Sequence, residues 1–174
     1  MSQHFGGGAV TALFEDYDEL AEQLAHDPSG LTALSRTYPK SLLMAAASSL
    51  EDQTKKLLPE LFRRHGRDEL ATFVERQVAA RGFHTLFNWK DRSAASFFVL
   101  FGADCKTRFR NLLSIDEGFR AGHIGFMELG ATRNETVHGD YASVPMSLTT
   151  GEIRSHYRNA LTFVANIEGL VIRE

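Results

Sequence analysis

Apolar residues recur at three- and four-residue intervals along most of this chain, and strict alternation never extends beyond four residues. That period belongs to helices with one buried stripe, so the pattern calls for an all-α fold. The first stripe is Val10, Leu13, Phe14, Tyr17, Leu20, Ala21 and Leu24. It predicts a helix over about 9–26, stopped by Asp27-Pro28-Ser29-Gly30. A long second helix is expected from Pro39, whose missing N–H suits a first helical position. It carries Leu42, Leu43, Ala46, Leu50, Leu57 and Leu58 to Phe62, with Pro59 kinking or dividing it. A third helix covers about 68–81 and closes at Gly82.

The aromatic-rich stretch 83–102 reads as a connector followed by a short helix over about 93–101, and another short helix includes 106–113. The next helix runs from about Glu117 to His138. Its Gly122, Gly125 and Gly130 each cost about 1 kcal/mol relative to alanine. Glycine at that density indicates close approach by another helix or by a second copy of the chain. After a loop, Thr149 and Glu152 form a capping-box pattern that opens a last helix over about 150–171. The expectation is a bundle of four to five main helices plus short ones. It forms one domain over 9–174 behind a flexible tail, 1–8, that holds Gly6, Gly7 and Gly8.

Composition narrows the function classes. No apolar run approaches the roughly 18 residues a membrane span needs. The N-terminus lacks the basic and apolar regions of a signal peptide. Cys105 is the single cysteine, so no intrachain disulfide and no thiolate zinc site are expected. Together these read as a cytoplasmic protein. A formal net charge of −3 argues against indiscriminate nucleic-acid binding. The charge is uneven, however: 15–27 holds six acids and no lysine or arginine. From 81 to 110 six bases face two acids, a local +4. Of those bases Lys90, Arg92, Lys106, Arg108 and Arg110 are candidate RNA contacts, the last three interleaved with Thr107 and Phe109 as in a base-stacking groove. A mixed-charge solvated helix surface is the plainer reading.

The segment with chemical content is Arg133-Asn134-Glu135-Thr136-Val137-His138. Arginine clamps phosphate in a two-pronged fork. Histidine moves a proton near neutral pH. Asparagine holds a phosphate oxygen or orients the imidazole. Asn134 and His138, four apart, share a helix face, and Arg133 can swing toward it. The trio suits metal-free RNA cleavage, in which a 2′-hydroxyl attacks the neighbouring phosphate. One imidazole cannot serve as both base and acid, and a two-fold dimer would bring two copies of His138 to one cleft. The alternative is an ordinary helix end, with His138 complementing the dipole and Gly139 capping.

This segment resembles the Arg–x(4–6)–His signature of the HEPN superfamily. Upstream, Asn88-Trp89-Lys90, the block from Phe97 to Gly102, and Gly125-Phe126-Met127-Glu128-Leu129 look like its RiboL-PSP branch, over about residues 40 to 172. The resemblance implies a helical bundle that dimerises with the signature at its interface. It also implies metal-independent endoribonuclease activity, typically of a toxin or antiviral-defence effector paired with an antitoxin or another defence protein. Arg133 would bind the phosphate, Asn134 would position it, and His138 would transfer protons. No cofactor or metal ion is expected. The competing expectation is a non-catalytic HEPN-like module that binds RNA, nucleotide or protein. His65, His84, His123 and His156 lack metal-ligand spacing and read as structural or surface groups. The basic cluster 63–67 suits a helix end. Glu51 and Asp52 are candidates for an accessory polar group in the cleft, and Cys105 reads as buried or inert.

Overall fold

The computed structural model describes residues 8–79, 83–141 and 143–172. Among these residues eight α-helices follow in order: α1 (Gly8–Gln23), α2 (Pro28–Arg64), α3 (Asp68–Phe73), α4 (Phe83–Leu86), α5 (Ala95–Val99), α6 (Ala103–Ile115), α7 (Glu117–His138) and α8 (Thr150–Val171). A π-helical turn, Val74–Ala79, continues α3. No strand occurs among the described residues; one isolated antiparallel bridge joins Asn88 to Ser93. The all-α expectation is met. Most of the expected tail, and the closure of the third helix at Gly82, lie outside the described residues, while Gly8 already belongs to α1.

The second helix departs most from expectation. It begins at Pro28 rather than Pro39 and passes through both Pro39 and Pro59. Asp27-Pro28, read as a stop, is also a start: Asp27 accepts from Ser29 N and Pro28 takes the first turn, where no backbone donor is needed. Each internal proline forfeits a helical hydrogen bond at about 3 kcal/mol. Burial of both rings, with Leu42, Leu43, Leu50, Leu58 and Leu61 along the same helix, offsets that loss.

Helices α7 and α8 form the most extensive pair, and glycine sets their separation. A β-carbon on Gly125 would lie 2.4 Å from His156 O, and one on Gly122 would lie 2.8 Å from Asn159 O. The close approach is therefore to another helix of the same chain. Both helices begin and end where their sequence signals predict. Asp116 caps α7 by accepting from Phe119 N. Thr149 caps α8, and its N–H and hydroxyl donate to Glu152, holding that carboxyl below the usual carboxylate range. Between these helices and α5–α6 lies an aromatic core of Phe97, Phe98, Phe109, Phe119, Phe126 and Phe163, all nearly or fully buried. Each phenylalanine contributes about 1.5–3 kcal/mol on burial. His123 sits in this core between the Phe109 and Phe163 rings, and its Nε2 accepts from Ala94 N at 3.2 Å. Burial lowers its pKa to about 4, so the ring is neutral and structural. No helix among the described residues is long and apolar enough to cross a membrane.

Candidate functional site

A cleft of about 310 Å³, its open mouth included, lies where α2, α4 and α7 meet. Its floor is apolar (Leu50, Phe83, Trp89 and Phe126), and its polar wall is Glu51, His84, Arg133 and Asn134. The turn 88–93 builds one side. Asn88 and Ser93 exchange two backbone hydrogen bonds, and Asn88 Oδ1 accepts from Asp91 N. Arg92, at φ 49°, pairs with Glu128 of α7 at 2.8 Å. This turn lays the Trp89 indole over Gly130, where a β-carbon would come within 2.0 Å of the ring. Gly130 is thus the gap that admits Trp89, three residues before Arg133. The indole N–H donates to His84 O at 2.9 Å, which ties α4 to the same wall.

Arg133 is a half-buried polar group of the cleft, its side chain 20 % exposed. One Nη donates to Asn134 Oδ1 at 3.2 Å, and the other stands 3.9 Å from Glu51 Oε2. Its Nε is buried with no acceptor among the described residues. The guanidinium does swing toward Asn134, although the two residues leave the helix about 100° apart. Accepting at Oδ1 leaves the Asn134 amide nitrogen as the donor it can offer an anion. Glu51, 17 % exposed, receives Lys55 Nζ on its other oxygen. One carboxylate between two cations leaves the wall positive by one charge, a setting that attracts phosphate. Asp52 instead points outward and pairs with Lys56, so only Glu51 reaches the cleft.

His138 stands apart. It is exposed on the last residue of α7, about 6 Å along the axis from Asn134 on the same face, and does not line the cleft. Beyond it, Lys40 of α2 donates to Tyr141 O and lies over the Tyr141 ring, 5.1 Å from its centre, pinning the chain that leaves the helix.

The five candidate RNA-contact bases divide between two elements. Lys90 and Arg92 occupy the turn beside Trp89; Lys106, Arg108 and Arg110 lie on α6. Alternate positions on a helix diverge by about 200°, so Lys106 and Arg110 share a side that Arg108 does not. Arg108 turns inward and donates twice to Leu170 O, at 2.6 and 3.1 Å, beside the buried Cys105 thiol that donates to the same carbonyl. Burial pushes that thiol's pKa up, against the opposing influence of Arg108. Lys90 and Arg110 remain exposed.

His84, which the sequence reads as a structural or surface group, lines the cleft, and Lys55 bears on it through its pair with Glu51; nothing local links residues 55 and 84 to 133. Only packing brings them together. Among the described residues no group of three or more His, Cys, Asp or Glu is placed to hold a metal ion. The RiboL-PSP-HEPN family model matches residues 11–173, which takes in α1 as well as the segment from 40 onward that carries the resemblance. Neither the curated proteins nor the solved structures include a match to the chain.

Proposed function

Since the chain belongs to the RiboL-PSP-HEPN family, we propose that it is a metal-independent endoribonuclease that works as a dimer, with Arg133, Asn134 and His138 as its site. The observation that carries the reading is the Arg133 guanidinium. It is anchored at the cleft by Asn134, yet among the described residues its buried Nε has no acceptor and its nearest carboxylate stands 3.9 Å away. A guanidinium held in place but incompletely paired is ready for the two-pronged grip of a phosphate. Asn134 N–H groups take a second phosphate oxygen. His138 moves a proton at the reacting oxygens while Arg133 stabilises the charge that develops on the phosphate.

The dimer is supported by the surroundings of His138. Val137 and Tyr141 are apolar neighbours left 45 % and 48 % exposed, a patch that suits contact with a second copy. A two-fold axis there would bring two His138 side chains to one cleft. Exposed Lys90 and Arg110 would guide the RNA strand electrostatically. In the cell such an activity fits growth control or antiviral defence, restrained by an antitoxin or another defence protein.

The purified protein is expected to cleave single-stranded RNA in EDTA, leaving 2′,3′-cyclic phosphate and 5′-hydroxyl ends, while Arg133→Ala loses at least about 100-fold in rate. Equal cleavage by the wild type and Arg133→Ala overturns the reading, as does binding of RNA without turnover.

A further inference from the structure

A cleft that grips phosphate gains nothing in affinity from a carboxylate in its wall, yet Glu51 of α2 stands there beside Arg133 and Asn134. The side chain is half-buried, and its two oxygens are placed differently. Oε1 receives Lys55 Nζ from one turn further along α2. Oε2 faces one Nη of Arg133 at 3.9 Å, close enough for charge attraction and too far for a hydrogen bond. The other Nη of Arg133 donates to Asn134 Oδ1 at 3.2 Å. The guanidinium is thus drawn in two directions, by its own helix through Asn134 and by α2 through Glu51. Asn134 is the next residue of α7, so it cannot by itself orient the guanidinium against the opposite wall. Glu51 can. Lys55 keeps that hold loose: it occupies Oε1, and a closed two-pronged pair with Glu51 would consume the donors a phosphate needs. Lys55 is itself steadied, its Nζ 5.5 Å from the centre of the buried Phe83 ring.

We propose that Glu51 is a positioning residue for cleavage: it orients the Arg133 plane toward the reacting phosphate and weakens the grip on RNA before reaction. The proposal rests on the nuclease reading above. Its negative charge repels the bound phosphodiester, which costs affinity. The orientation it imposes is rewarded as charge builds on the phosphate oxygens in the transition state, which serves rate. Glu51 neither touches the substrate nor moves a proton, so the dimeric arrangement of the two His138 side chains is unaffected.

The test reads binding and rate separately. Binding uses an oligoribonucleotide 2′-O-methylated throughout, which this chemistry cannot cut; rate uses single-turnover cleavage of the unmodified strand. Glu51→Gln, nearly the same shape, is expected to bind at least about threefold more tightly, the scale of one partly exposed charge. It should cleave at least about tenfold more slowly, a modest cost for a misaligned group. Lys55→Gln should shift affinity the opposite way, at least about threefold weaker. In an Arg133→Lys background the rate loss from Glu51→Gln should shrink to within about twofold, because an ammonium has no plane to orient. Thermal unfolding midpoints are matched throughout. If Glu51→Gln does not fold, Glu51→Asp carries the test, keeping the charge but withdrawing it: affinity within about twofold of wild type, with cleavage at least about tenfold slower. Cleavage by the folded variant at the wild-type rate overturns the proposal, as does an undiminished rate loss in the Arg133→Lys background. A wild type that binds RNA but does not cleave it overturns the nuclease reading and this proposal with it.

Discussion

The first four turns of α7 and its last two are made of different chemistry. From Phe119 to Leu129 the helix spends its side chains on packing. Phe119, Met127 and Leu129 are almost fully buried, His123 is neutral inside an aromatic cage, and Gly122 and Gly125 let α8 come close. From Gly130 onward Ala131, Thr132 and Thr136 are still buried, but Arg133 and Asn134 are half-buried at the cleft, Val137 and His138 are exposed, and the facing wall is a carboxylate held by a lysine. The two stretches are continuous in backbone, so the packed part can hold the polar part rigidly. The same residue type illustrates the division: His123 is walled from water and stays uncharged, while His138 stands exposed at the helix end. A histidine's role is set by its surroundings more than by its identity.

The comparison can be broken or sharpened in three ways, the largest first. Gly125→Ala forces a β-carbon against His156 O, a backbone atom that cannot swing aside. A loss of about 3 kcal/mol or more is expected in chemical unfolding, and an unchanged midpoint would contradict the close packing of α7 on α8. Acid acts on the same region through His123. Its folded pKa, about 4, lies below the unfolded value of about 6.5, so the unfolded chain takes up a proton first. His123 therefore costs nothing above pH 6.5, and stability falls as pH drops from there toward 4, by at most about 3 kcal/mol. Comparison with His123→Met isolates that contribution, and parallel curves for the two proteins would refute it. The smallest effect belongs to the open end. Lys90→Ala should leave folding within about 0.5 kcal/mol of wild type. It should lower the slope of log affinity against log salt, measured on single-stranded RNA, by about 0.7, the value for one phosphate contact. An unchanged slope would remove Lys90 from the RNA path.

The sequence makes α7 and α8 legible because their ends carry short-range signals: an aspartate before one, a reciprocal Thr–Glu pair before the other. It misleads about α2, where Pro39 imitates a helix start and Asp27-Pro28 a stop. The outcome there depends on burial of both prolines, which the local sequence does not reveal. Gly122, Gly125 and Gly130 of α7 signal a close approach without saying to what; the answers are α8 and Trp89. Likewise, Arg133, Asn134 and His138 stand out because they are neighbours in the chain. Glu51 could be named only as a candidate and His84 only as a structural or surface group, since the cleft wall they share arises from helices distant in the chain from Arg133.

The central claim is that proton transfer takes place at the open end of α7. It is tested most directly by measuring single-turnover RNA cleavage by His138→Ala against wild type, on preparations whose thermal unfolding midpoints agree. The account predicts a fall of at least about 100-fold with folding unchanged. Cleavage at the wild-type rate by a correctly folded His138→Ala would contradict it.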